Sequence, residues 1–260
     1  MRGVVLAGGS GSRLYPLTRI TNKHLLPVYN QPMIYYPIQL LVAAGIDRIL
    51  VVTGGNHAGE FLPLLGSGSA FGLKRIDYAY QERPGGIADA LALARHFADG
   101  GNVCVVLADN VFEYSIVETF ARFERQGGGA RILLSQVDHP EEYGVPAFVG
   151  DRVAQIEEKP TTPRSPYAVT GCYLYDRDVF DIVDRLTPSG RGELEITDVN
   201  NAYIARGQLE YDVVRGFWAD CGESFDAYLR AQNLVAERGA NKVQAVATGT
   251  RDERPAAKAK

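Results

Sequence analysis

Gly3-Val4-Val5-Leu6-Ala7-Gly8-Gly9-Ser10-Gly11-Ser12-Arg13 is the stretch on which the reading of the fold turns. Its first half is apolar without polar alternation, the pattern of a strand covered on both faces. Its second half is a glycine-rich loop, and glycines let a backbone come close to an anion. A dinucleotide fingerprint needs a third glycine at position 14, where Leu14 stands. A Walker A loop ends in Gly-Lys-Ser or Gly-Lys-Thr, which is absent here. The loop alone is therefore read either as a plain tight turn or as a phosphate loop with its own arginine.

Further apolar runs follow at Ile49-Leu50-Val51-Val52-Thr53, at Val103-Cys104-Val105-Val106-Leu107 and over residues 131–137. Between them lie helical patterns. Residues 37–44 end at Gly45, a C-cap. Residues 87–97 carry Ile87, Leu91 and Ala94 at helical spacing, and Ile116, Phe120 and Phe123 repeat before the Gly127-Gly128-Gly129 stop. Strand, helix and strand in succession predict an α/β fold with a right-handed, mostly parallel twisted sheet of Rossmann-like form, flanked by helices. After about residue 140 the rhythm shortens into a smaller mixed segment. It includes a proline-rich loop over 161–166 and helices over 178–186 and 225–237. Residues 1–240 are expected to form one domain, and 241–260 a flexible tail.

Composition narrows the function classes. The chain has 260 residues, 46% hydrophobic and 22% charged, which suits a globular protein with a sizeable core. A net charge of −4 argues against a broad nucleic-acid surface but leaves room for a local phosphate pocket. Cys104, Cys172 and Cys221 have no CxxC spacing, so neither a disulfide scaffold nor a cysteine zinc site is expected, and a reducing, cytoplasmic compartment is. No signal peptide is read at the start. The uncharged stretch 25–46 is broken by Pro27, Pro32 and Pro37, so no membrane span is expected. His24, His57, His96 and His139 lack metal-ligand spacing and are read as structural.

The glycine loop continues through Leu14-Tyr15-Pro16-Leu17-Thr18, then Asn22-Lys23-His24-Leu25-Leu26-Pro27-Val28 and Pro32-Met33-Ile34-Tyr35-Tyr36-Pro37. Later come Leu107-Ala108-Asp109-Asn110, Glu142-Tyr143-Gly144-Val145, Glu157-Glu158-Lys159-Pro160, Tyr167-Ala168-Val169-Thr170-Gly171, Arg191-Gly192-Glu193-Leu194-Glu195 and Trp218-Ala219-Asp220. In this order and at this spacing the chain resembles the sugar-1-phosphate nucleotidyltransferases over residues 1–237, most closely the thymidylyl-transferring branch that uses glucose-1-phosphate. The resemblance implies Mg²⁺-dependent transfer of a nucleotidyl group from dTTP or UTP to a sugar-1-phosphate, with release of pyrophosphate. It also implies a homo-oligomer, with neither nucleic acid nor membrane as partner.

By resemblance Arg13, Lys23 and Lys159 are catalytic. Arg13 stabilises the leaving pyrophosphate, Lys23 assists, and Lys159 holds the sugar phosphate near the α-phosphate. Fixed cations lower the barrier where negative charge builds up. Asp109, at the end of a strand where α/β ligands sit, and Asp220 share the Mg²⁺. The backbone of Leu6, Gly8, Gly9 and Gly11, with Gln81 and Gly86, binds the nucleotide; a carboxamide can pair with a base edge through donor and acceptor together. Leu107, Tyr143, Gly144, Glu158, Lys159, Val169, Gly171, Arg191 and Trp218 form the sugar-phosphate side.

Several residues depart from the family pattern. Ala108 replaces a glycine, Asp89 a glutamine, Pro146-Ala147 a Val-Glu pair, and Cys221 and Glu223 flank the second aspartate differently. The departures cluster around substrate contacts, so a different NTP, or an amino sugar, deoxysugar or cyclitol phosphate, stands as the alternative. A nucleotide-binding regulator without catalysis is the alternative from another class. The further helices that longer members use for feedback and subunit contact are not expected here.

Overall fold

The computed structural model describes residues 1–9 and 11–243. Seven strands form one sheet: β1 Arg2–Ala7, β2 Arg48–Gly54, β3 Arg75–Gln81, β4 Val103–Leu107, β5 Ala130–Gln136, β6 Tyr167–Tyr175 and β7 Leu209–Val213. Their order across the sheet is β7-β5-β6-β4-β1-β2-β3. β1 lies parallel to both β4 and β2, β2 parallel to β3, and β7 parallel to β5. β6 runs antiparallel between β4 and β5. The fold is the expected α/β architecture, with one antiparallel strand set into its middle.

The apolar runs follow from burial on both faces. Val4, Leu6, Leu50, Val52, Val103 and Val105 join one core. Val5, Ala7, Ile49, Val51, Cys104 and Val106 join the other. Period-two packing into two separate cores leaves no solvent face to carry polar residues. All three cysteines are buried free thiols.

The helices depart from the sequence reading in detail. The first spans Tyr35–Ala43, with Gly45 just beyond at a φ of 85°. The helix expected over 87–97 is two short ones, Ile87–Ala92 and Arg95–Ala98. They are separated where the Ala94 N–H tightens onto the Leu91 carbonyl. Strand β6 is not expected from the sequence pattern. Its Gly171 lies within a register irregularity between Val169 and Tyr173. A Cβ at Gly171 would fall 2.7 Å from Leu107 side-chain carbons and from Asn110 Oδ1, so only glycine lets the strand pass over the end of β4.

A third, smaller core joins the N-terminal loop region to the last helix, Phe225–Arg238, through Leu14, Leu26, Met33, Tyr36, Tyr228 and Ala231. Ser224 caps that helix, its side-chain oxygen accepting from the Ala227 N–H. Glu113, 2% exposed, anchors the far end of the helix. It accepts from the Phe217 N–H at 3.0 Å and pairs with Arg238 and Lys242 at 2.5 and 2.7 Å. Of the expected tail, Asn241 and Lys242 are hydrogen-bonded to Phe112, Glu113 and Ser115, and residues 244–260 lie outside the described residues. No helix among the described residues is long and apolar enough to cross a membrane.

Burial opposes ionisation of Glu113, but hydrogen bonds from Lys242 and the Phe217 N–H and the Arg238 charge outweigh it and hold its pKa below the ordinary 4.5. A depressed carboxylate pKa stabilises the fold above the ordinary value and loses that contribution as pH falls through the folded one. Glu113→Ala is expected to cost about 1–3 kcal/mol in urea unfolding at neutral pH, mainly from the orphaned Phe217 N–H. Glu113→Gln, which keeps an acceptor, is expected to cost less. The gap between wild type and Glu113→Gln should narrow below pH 4.5; a gap constant with pH would remove the ionised carboxylate from the account.

Candidate active site

The register of β1 and β4 creates the site. Leu6 stands opposite Leu107, and the Ala108 N–H donates to the Leu6 carbonyl at 2.9 Å. The glycine loop and Asp109 therefore leave the sheet side by side at its carboxyl edge, where α/β folds place ligands. Gly9 and Gly11 have φ of 98° and 62°, and Gly11 starts the turn that carries Arg13.

Asp220 arrives from 111 positions later through a two-stranded ribbon. Trp218–Asp220 pairs antiparallel with Asn110–Phe112, setting Asp220 opposite Asn110, and the Cys221 N–H donates to the Asp109 carbonyl. Lys23 Nζ lies 2.5 Å from Asp109 Oδ2. A Cβ at Gly222 would fall 2.6 Å from that oxygen and 2.7 Å from Nζ, so a residue with no side chain roofs the pair. Burial disfavours both charges, yet each is rescued by the other. Asp109 is held well below the carboxylate range by Lys23, and Lys23 above the ordinary lysine value by Asp109 and Asp220. Asp220 goes the other way, pushed up to about 7 by burial and then by the Asp109 charge. The neighbouring His24 is pushed down to about 3 by burial and by Lys23, and is neutral.

Two contiguous clefts share Ile87, Leu107 and Glu193. One is lined by Leu6, Gly8, Gly9, Lys23, Gln81, Gly86 and Asp109. The other gathers Arg13, Tyr143, Gly144, Glu158, Lys159, Val169, Gly171, Arg191, Trp218 and Asp220. The residues singled out from the sequence thus meet on two sides of one site; Gly11 shapes the loop behind it. Trp218 packs edge-on to Tyr143 with centroids 5.2 Å apart. Lys159 has a φ of 45°, a left-handed conformation costing a non-glycine residue about 1–2 kcal/mol, and its N–H donates to the Tyr143 carbonyl. Asp109 and Asp220, from separate elements, both act on Lys23; no group of three or more potential metal-binding side chains occurs among the described residues.

Several organising residues were given no role by the sequence reading. Asn110 is a hub: its Nδ2 donates to Asp109 Oδ1 at 3.0 Å, and its Oδ1 accepts from Trp218 Nε1 at 2.6 Å and the Gly171 N–H at 2.8 Å. Thr197 donates to Glu158 Oε2, and Glu195 takes the Arg191 guanidinium on both oxygens. Glu223 pairs with the half-exposed Arg13 at 2.7 Å. Position within a motif, directly after Asp109, was the one available signal for Asn110.

A family profile described as nucleotidyl transferase matches residues 2–238. The chain is 46% identical over 256 residues to the glucose-1-phosphate thymidylyltransferase of Actinoplanes sp., covering 97% of this chain and 83% of the relative. It is 47% identical to that of Neisseria meningitidis, covering 85% and 78%. A Bacillus anthracis protein assigned to the glucose-1-phosphate thymidylyltransferases, crystallised with a sucrose, superposes with a TM-score of 0.86 at 46% identity over 90% of this chain and 94% of that one. A UDP-glucose pyrophosphorylase complexed with UDP-glucose shares the fold, with a TM-score of 0.78 at 22% identity over 91% and 98%. The matched span runs from the first strand to the end of the last helix and takes in both clefts, and by it the chain belongs to the nucleotidyl transferase family.

Proposed function

We propose that the chain transfers a thymidylyl group from dTTP to glucose-1-phosphate, giving dTDP-glucose and pyrophosphate. The observation that carries the reading is that Lys23 and Asp109, paired at 2.5 Å, line one cleft while Arg13, Lys159 and Asp220 line the cleft contiguous with it. The names of the relatives support this choice of nucleotide and sugar.

Asp109 and Asp220 are two close acids sharing a single lysine, and without further positive charge one is driven toward its neutral form. That donor set suits Mg²⁺, which takes one or two carboxylates and fills its remaining positions with phosphate oxygens and water. Asp109 and Asp220 would hold the ion, and bound there it would neutralise charge on the nucleotide's phosphates.

The protein's own groups do the rest. The glycine loop admits the triphosphate backbone-close, and Arg13, released from Glu223, meets the departing phosphates. Lys159 brings the sugar phosphate to the α-phosphorus against the repulsion of two anions. An oxygen of that phosphate forms the new bond to the α-phosphorus in line as the bond to the pyrophosphate oxygen breaks. The attacking oxygen is already ionised, so no general base is needed, and neutral His24 takes no proton. Glu158, fixed by Thr197, faces the sugar hydroxyls, and Trp218 and Tyr143 form the wall of the sugar side.

Arg13→Ala is expected to lower kcat for pyrophosphate release by about 10²–10³-fold while dTTP affinity, measured by calorimetry, changes far less. A loss confined to affinity would take Arg13 off the leaving group. Asp109→Asn is expected to abolish Mg²⁺-dependent turnover and to weaken Mn²⁺ binding followed by electron paramagnetic resonance. Normal turnover with normal Mn²⁺ binding would remove Asp109 from the metal site.

A further inference from the structure

Gln81 ends strand β3 with its carboxamide between the nucleotide-side cleft and the short helix Ile87–Ala92. Its Nε2 donates to Asp89 Oδ2 at 2.7 Å and to the Gly86 carbonyl at 3.3 Å. Both partners are acceptors only, so both amide hydrogens are committed, and a flipped amide would set Oε1 against two oxygens. Oε1 is left on the side of Gly8, where a Cβ would come within 3.0 Å of it, and it accepts no hydrogen bond from the described residues.

Room for this arrangement comes from Gly85. A Cβ at Gly85 would fall 2.5 Å from both Cγ and Oδ2 of Asp89. Gly85 is not among the residues with positive φ, so its backbone does not call for glycine. Its missing side chain serves the Asp89 carboxylate, and Gly85, Asp89 and Gln81 act as one unit.

We propose that Asp89 is a specificity-determining positioning residue: by holding the Gln81 carboxamide it commits the atom facing the nucleobase to an acceptor. The proposal rests on the reading above that Gln81 meets the base. A fixed acceptor pairs with a base whose ring carries an imide N–H, as thymine and uracil do. Cytosine, of the same ring size, presents an unprotonated ring nitrogen at that position and leaves two acceptors facing each other. Asp89 is not among the residues lining either cleft, and it acts through Gln81. A role limited to stabilising the first turn of its helix would change stability and leave base preference alone.

The test is kcat/KM with glucose-1-phosphate and Mg²⁺ for dTTP and for dCTP, in wild type, Asp89→Asn, Asp89→Ala, Gly85→Ala and Gln81→Ala, each checked for folding by thermal melting. Wild type should favour dTTP. The dTTP-to-dCTP ratio should fall about tenfold in Asp89→Ala, the scale of one charge-assisted hydrogen bond. It should also fall in Asp89→Asn, whose side chain can donate or accept, and in Gly85→Ala, which displaces Asp89 without altering it or Gln81. An unchanged ratio in the folded Asp89 and Gly85 variants, with a lowered one in Gln81→Ala, overturns the role of Asp89 and leaves Gln81 at the base. An unchanged ratio in Gln81→Ala, or no preference in wild type, overturns the base-facing reading and the proposal with it.

Discussion

A carboxylate and an ammonium taken out of water together are tolerable only while they touch, and the 2.5 Å contact between Lys23 and Asp109 is such a pair. Its two halves come from distant places. Asp109 follows a central strand, and Lys23 sits in a short turn after the glycine loop, held where Asn22 accepts from the His24 N–H. Keeping them together requires the third core, in which the last helix packs against residues 14–36. It also requires Gly222, because any side chain there would enter the space of the pair. The arrangement of the C-terminal region is thus tied to the charge pair at the carboxyl edge of the sheet.

Around that pair the fold distributes charge unevenly. Asp109 is compensated, while Asp220 beside it is driven toward neutrality. Arg13 is held by Glu223, and Arg191 by Glu195 with Glu158 at 3.6 Å. Both guanidinium groups already have carboxylate partners, so under the proposed function a phosphate would exchange one anionic partner for another at Arg13 and Arg191. Asn110 connects the charged centre to the aromatic wall. Its amide meets Asp109 on one side and orders Trp218 and the Gly171 backbone on the other, coupling Asp109 to the shape of the cleft that Trp218 and Gly171 line.

Much of the site was legible because its parts lie in continuous segments. Arg13 and Lys23 stand within one N-terminal stretch, Asp109 at the end of an apolar run, and Glu158-Lys159 before a proline. Others were not. Strand β6 carries Thr170 and Gly171 in a run otherwise apolar or aromatic, and nothing local says that it enters the sheet antiparallel between β4 and β5. The partners Glu223 of Arg13 and Thr197 of Glu158 are separated from them by 210 and 39 positions, and no periodicity links such residues. Asp89 was visible as an unusual residue, but its purpose emerges only from the Gln81 amide that it meets.

By itself, then, the sequence determined four of the sheet's seven strands, β1, β2, β4 and β5, because apolar runs of that length must be buried on both faces, and it placed the glycine loop and Asp109 at the ends of two of them. The tertiary structure decided the position of the antiparallel strand, the pairing of Asp220 with the Asn110 segment, and the opposite directions in which the Asp109 and Asp220 pKa values move. The reason is physical: strand identity follows from local hydrophobic pattern, whereas a buried group's charge and an amide's orientation depend on through-space neighbours that the chain brings together only when it folds.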